Sequence, residues 1–108
     1  MNIVKEKVEE LVEAIRESPE YHSFMAAKRQ VEQVPGLADR VREFCWKNYE
    51  LQSGDPEDLD ERIKAFEEQY HEFRRNPVVE RYLEYELRMC RMLQAIDARI
   101  MDAVDLVL

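Results

Sequence analysis

NPVVERYLEYELRMCRMLQAIDARIMDAVDLVL, running from Asn76 to Leu108, reads as one uninterrupted helix from Pro77 to near its end. Val79, Leu83, Leu87, Cys90, Leu93, Ile96, Ile100, Val104 and Val107 recur at steps of three and four, the spacing of one helical stripe. No glycine or proline follows Pro77. About 30 residues at 1.5 Å each make a rod of ~45 Å. Its start is marked as clearly as its course. The Asn76 side chain can accept from a first-turn N–H, and Pro77 suits the first helical position, where an amide hydrogen would have no partner.

The same punctuation recurs upstream. Ser18-Pro19-Glu20 and Asp55-Pro56-Glu57 repeat the cap-proline pattern, and Val34-Pro35 is a weaker version with no capping oxygen. The four prolines therefore cut the chain into about five helical segments. In the first, from about Ile3 to Glu17, Val4, Val8, Leu11 and Ile15 share a face. The second, from about Pro19 to Gln33, offers Tyr21, Phe24, Met25, the stem of Lys28, and Val31. Ser18 precedes a proline, so it should be extended and bend the path. The third begins near Pro35, with Leu37, Val41, Phe44, Asn48 and Leu51 as its stripe and Cys45 beside it. It is expected to stop at Gly54 in a left-handed conformation. Asp55 would then cap the fourth segment, with Asp58 as a capping-box partner. That segment carries Leu59, Ile63, Phe66, Tyr70 and Phe73 and should fold back on the third as a short antiparallel hairpin. The expected architecture is all-α: an antiparallel bundle with a central short hairpin and a long C-terminal helix, residues 1–108 forming a single domain.

Composition narrows the function. Of 108 residues, 37% are charged and the net charge is −8. An acidic chain is a poor ligand for phosphate backbones, so no direct nucleic-acid binding is expected. No apolar run approaches the ~20 residues of a membrane span, and no signal peptide is legible. A cytoplasmic chain that keeps Cys45 and Cys90 reduced is expected, both packing as small hydrophobes.

Candidate chemistry is sparse. Glu68 and His71 have the Glu-x-x-His spacing of di-iron bundles, and Glu67 lies beside them, but no second copy of the motif exists. A metal-binding bundle using Glu67, Glu68, His71 and the cysteines is the alternative reading; the preferred one takes His71 as a surface residue with acidic neighbours. Arg88, Arg91 and Arg99 could face phosphates, but Glu84, Glu86 and Asp97 are interleaved with them, as on a salt-bridged wet face. Trp46 could anchor an interface as a half-buried ring or belong to the core. There is no nucleophile motif and no phosphate-cradling glycine loop. No enzyme, cofactor, metal or small-molecule substrate is expected.

Lengths supply the one positive functional signal. The first two segments together match the last, while the hairpin is much shorter. Two long arms cannot be covered by two short ones, so apolar surface near both chain ends should lie bare and mark an interface. The apolar residues Leu106, Val107 and Leu108 add to it. A homo-oligomer is expected, most simply a two-fold dimer, with Met92, Ile96, Ile100 and Val104 as its contact residues.

The order of these features resembles a known family. Ala14-Ile15-Arg16-Glu17-Ser18-Pro19-Glu20-Tyr21 and Ala26-Ala27-Lys28, a mid-chain hairpin, Asn76-Pro77-Val78-Val79-Glu80-Arg81-Tyr82 and Glu86-Leu87-Arg88-Met89-Cys90-Arg91-Met92-Leu93 together resemble the YlbF/YmcA proteins of Gram-positive bacteria, nearest the short YheA-like branch. The resemblance implies an all-helical, self-associating protein with a regulatory role. For the better-known members that role is to act with a protein partner on messenger-RNA processing by ribonuclease Y, affecting competence, sporulation and biofilm formation. The family offers no catalytic residues to carry over. The cysteine-bearing tail associated with iron–sulfur binding in some relatives has no counterpart in this sequence.

Overall fold

The computed structural model describes residues 2–54 and 56–105 and, among these, contains helices and no strand. Six α-helices follow one another: α1 (Ile3–Glu17), α2 (Pro19–Gln33), α3 (Leu37–Ser53), α4 (Leu59–Gln69), α5 (His71–Arg75) and α6 (Pro77–Val104). A single 3-10 turn, Pro56–Asp58, precedes α4. The expected cap Asp55 and the apolar residues Leu106, Val107 and Leu108 lie outside the described residues.

The capping chemistry works as read at two junctions. Ser18 is extended (ψ 149°), and its hydroxyl accepts from the Tyr21 N–H at 3.2 Å while donating to the Ile15 carbonyl at 2.6 Å. One residue thus closes α1 and opens α2. Asn76 accepts from the Val78 N–H at 3.0 Å, ahead of Pro77. Replacing Asn76 by alanine should lower stability by about 1 kcal/mol, since an orphan N–H of α6 loses its partner. Urea unfolding followed by circular dichroism would read this as a lower midpoint; an unchanged midpoint would contradict it.

The other junctions differ from the expectation. Pro35 does not start a helix. Val34, Pro35, Gly36 and Leu37 form a turn closed by the Leu37 N–H to the Val34 carbonyl at 3.1 Å, with Gly36 at φ 76°, ψ −7°. That is the third-residue geometry of a type II turn, which glycine adopts without Cβ strain. Gly54 is extended (φ −84°, ψ −174°) rather than left-handed. Its bare Cα leaves room for the Arg62 guanidinium, which a Cβ would strike. Asp58 sits at the N-cap of α4 but makes no side-chain cap bond. The fourth segment is two helices, not one: the chain leaves helical geometry at Tyr70 (φ −103°, ψ 11°), dividing α4 from α5. The break accompanies convergence of three rings on one. Phe66, Tyr70 and Phe73 place their centroids 5.4, 5.1 and 5.5 Å from that of Phe44.

Phe44 is therefore the centre of the hairpin. Arg62 reaches the Leu51 carbonyl near the turn, and the ring cluster closes the open end, so α3 and α4–α5 run antiparallel. The core joins Phe44 and Phe73 to Val31, Leu37, Val41 and Val79. The largest helix–helix packing is between α2 and α6. Val31 and Val79 share the core, and Gln30 accepts from Arg81 at 3.2 Å. Burial on α6 then extends forward to Met89, while on α2 it extends back to Ala27 and the half-buried Phe24 and Tyr21, so the two helices run antiparallel. Ala27, absent from the expected stripe of the second segment, is a core residue, and so is Met89. Lys28, assigned to the apolar face by its stem, is exposed.

Candidate interaction surface

The C-terminal part of α6 outruns everything packed on it. Met89 is its last buried residue, and 15 helical residues follow. Of the four residues expected at a self-interface, Met92 and Ile96 are half-buried, whereas Ile100 is 49% and Val104 60% exposed. Leu93 is also exposed. At 100° per residue, Leu93, Ile96, Ile100 and Val104 fall on one side of the helix, the continuation of the side that α2 covers further back.

α1 is bare in the same way. It buries no residue, and it packs mainly against α2 at the Ser18 bend. Val4 is 73% and Val8 50% exposed, with Ile3 and Leu11 exposed as well. The extended Ser18 turns α1 out of line with α2, so α1 does not lie along its own α6. The consequence shows in the whole molecule. The Cα radius of gyration is 17.8 Å, against about 13 Å for a compact chain of this length. The accessible surface is 8887 Å², about 2,500 Å² more than a compact 13.0 kDa monomer exposes.

A second aromatic feature lies on α3. Trp46 (60% exposed) and Tyr49 (63%) stack with centroids 5.7 Å apart. Trp46 is thus neither core nor half-buried. The cysteines also separate. Cys45 is half-buried against the core, and burial, with a smaller contribution from Glu86, pushes its thiol above the ordinary range. Cys90 is exposed, contrary to the expectation that it packs inside. The apolar residues of α6 span two adjacent faces, and Cys90 belongs to the outer one with Leu87. Beside Cys45, burial and then the charge of Glu86, which also bonds its hydroxyl, raise Tyr82 to about 12. An aromatic disulfide titrant should therefore react first with Cys90 and later with Cys45, the two phases merging in denaturant. A single fast native phase for both thiols would contradict this.

The metal reading gains no assembled site. Glu67, Glu68 and His71 line a shallow surface depression with Lys64, and among the described residues no three His, Cys, Asp or Glu side chains come close enough to hold an ion. Arg88 is engaged by Glu84 at 2.7 Å and lies over the Tyr85 ring at 5.2 Å. Arg88 thus sits on a salt-bridged surface. Among the described residues, no helix is long and apolar enough to cross a membrane.

An all-helical chain whose main surface feature is a pair of unpartnered apolar helix faces defines the class. The family model described as control of competence regulator ComK, YlbF/YmcA, matches residues 4–105, and the chain belongs to that family. It is similar to a UPF0342 protein of Desulfitobacterium hafniense, 31% identical over 104 residues that cover 94% of this chain and 84% of the relative. It is similar also to a UPF0342 protein of Caldicellulosiruptor saccharolyticus, 32% identical over 100 residues, 90% of this chain and 83% of that protein. A third relative, from Caldicellulosiruptor bescii, is 27% identical over 99 residues, with 89% and 83% covered. No solved structure matches the chain significantly.

Proposed function

We propose that this protein is a non-enzymatic regulatory adaptor of the cytoplasm, acting as one helical domain that self-associates and holds a protein partner. The observation that carries the reading is the excess surface. A standard interface takes about 800 Å² from each partner, and the excess of about 2,500 Å² on this chain is ample for one. Met92, Ile96, Ile100 and Val104 are its contact residues, and a dimer is its simplest form. Burial of apolar side chains supplies the affinity, and the charges around them set the register.

The stacked Trp46–Tyr49 pair is the surface for a different protein. Exposed tryptophan and tyrosine are the side chains most often found at the energetic centre of an interface. Membership of a competence-regulator family agrees with a regulatory task, and the resemblance to the better-characterised members directs it to ribonuclease Y-linked messenger-RNA processing, competence, sporulation or biofilm formation. Affinity purification of the full chain from its host, with quantitative mass spectrometry, tests the adaptor. A stoichiometric partner should accompany the wild type and be lost from a Trp46→Ala/Tyr49→Ala variant that remains helical. Recovery of the chain with no stoichiometric partner counts against the reading.

A further inference from the structure

We propose that the occupant of the bare C-terminal half of α6 is α1 of a second copy, laid antiparallel, with the exchange made reciprocally across a two-fold axis. This rests on the self-association proposed above and names which helix meets which.

Three observations carry it. The two apolar stripes, bare at Val4, Val8, Leu93, Ile100 and Val104 and half-buried at Val12, Ile15 and Ile96, match in spacing. Val4, Val8, Val12 and Ile15 ascend α1 by steps of four, four and three; Val104, Ile100, Ile96 and Leu93 descend α6 by the same steps. Antiparallel helices placed in that register bring each residue of one set opposite its counterpart. The charges select this direction. Lys5 and Lys7 flank the apolar face at the start of α1, where Glu6 lies on the far side, and Arg16 flanks it at the end, while α6 has no basic residue in its last turn. Antiparallel packing sets the two lysines and the positive pole of α1 against the negative pole of α6; parallel packing would bring two negative poles together with Arg16 alone beside them. Finally, the register continues one already present in the chain. α2 runs antiparallel on the first half of α6, so an α1 collinear with α2 would fall on the second half of its own α6. The Ser18 bend directs α1 away from that seat. A second chain, which has the same α1 to offer and the same seat left open, fills it through the contacts α1 would otherwise make at home, which is the logic of a domain swap.

Two solvent-exposed substitutions, Val8→Lys and Ile100→Asp, test the pairing. Each alone places an unpaired charge in both seams of a reciprocal dimer and should weaken self-association at least about 100-fold, as read by sedimentation, without loss of helix. An equimolar mixture should regain a species of twice the chain mass, containing one copy of each variant by native mass spectrometry. In that species one seam is wild type and the other sets the introduced amine against the introduced carboxylate. Glu13→Lys, on the opposite side of α1, should leave the wild-type dimer intact. A dimer that survives Val8→Lys unaltered, or a mixture that stays monomeric, overturns the exchange while leaving self-association standing. A wild-type monomer overturns both.

Discussion

Ile100→Asp is expected to convert the protein to a monomer at micromolar concentration while leaving its helix content unchanged. Ile100 is 49% exposed within one chain, so a carboxylate there meets water and the fold is indifferent to it. In a dimer the same position is covered. A two-fold interface repeats the change, so two unpaired charges are desolvated and two isoleucine contacts are lost together. At roughly 1–3 kcal/mol for each desolvated polar group, the dissociation constant rises at least about 100-fold. Sedimentation velocity across a dilution series gives the shift directly, with far-UV circular dichroism as the check on folding. An unchanged dimer would remove Ile100 from the interface. Ile100→Leu should leave the dimer near wild-type strength, because an apolar residue of similar volume retains the burial.

Phe44→Ala is expected to have the opposite signature: loss of the fold, whatever the oligomeric state. Phe44 is buried at the point where α3 and α4–α5 meet, in ring contact with Phe66, Tyr70 and Phe73. Arg74 lies over its face at 5.9 Å, and Arg40 over that of Phe73 at 5.0 Å. Truncation opens a cavity lined by three rings and should cost about 3–5 kcal/mol. That is a large share of the 5–15 kcal/mol typical of a native domain. Thermal unfolding should show the midpoint falling by more than ten degrees or no cooperative transition at all. A loss below about 1 kcal/mol would mean that the hairpin is held elsewhere. The two variants thus separate the fold, which rests on the hairpin, from the self-association proposed for the bare arms.

The sequence carried much of this fold because two local signals were strong. Ser18-Pro19 and Asn76-Pro77 pair a capping oxygen with a residue that has no N–H to leave unsatisfied, and both caps form. α1 and α2 follow from them with boundaries as read, and α6 starts as read but ends at Val104, where Asp105 turns left-handed. Pro35 misled because the proline was weighed without its neighbour: Pro-Gly sets a turn, and Gly36 supplies the positive φ that turn requires. The break at Tyr70 was illegible, since Leu59, Ile63, Phe66, Tyr70 and Phe73 keep helical spacing through it, and what accompanies it is tertiary, the gathering of rings on Phe44. Ala27 was overlooked because a small side chain adds little to a periodicity count, although it sits fully covered on the face of α2 toward α6. Cys90 was misplaced because α6 is apolar over more than one face, and periodicity alone does not say which face finds a partner.

The bare surface was legible in outline for a different reason. Helix lengths are additive, and a short hairpin cannot shield a helix of 28 residues, ~42 Å long. The direction taken by α1 was not legible. It depends on the angle set at Ser18, where two helices share one capping hydroxyl, and the sequence specifies a bend there without its magnitude. The exposure of Trp46 was hidden likewise, because its stacking on Tyr49 is a local i,i+3 contact that no core periodicity predicts.

Sedimentation equilibrium of the wild-type chain at micromolar concentration tests the central claim most directly. A mass near twice 13.0 kDa is the expected result, since the uncovered stripes on α1 and α6 call for a second chain. A well-folded species of 13.0 kDa that does not associate as concentration rises would show that these helices tolerate water on their apolar sides, and the adaptor would lose its physical basis.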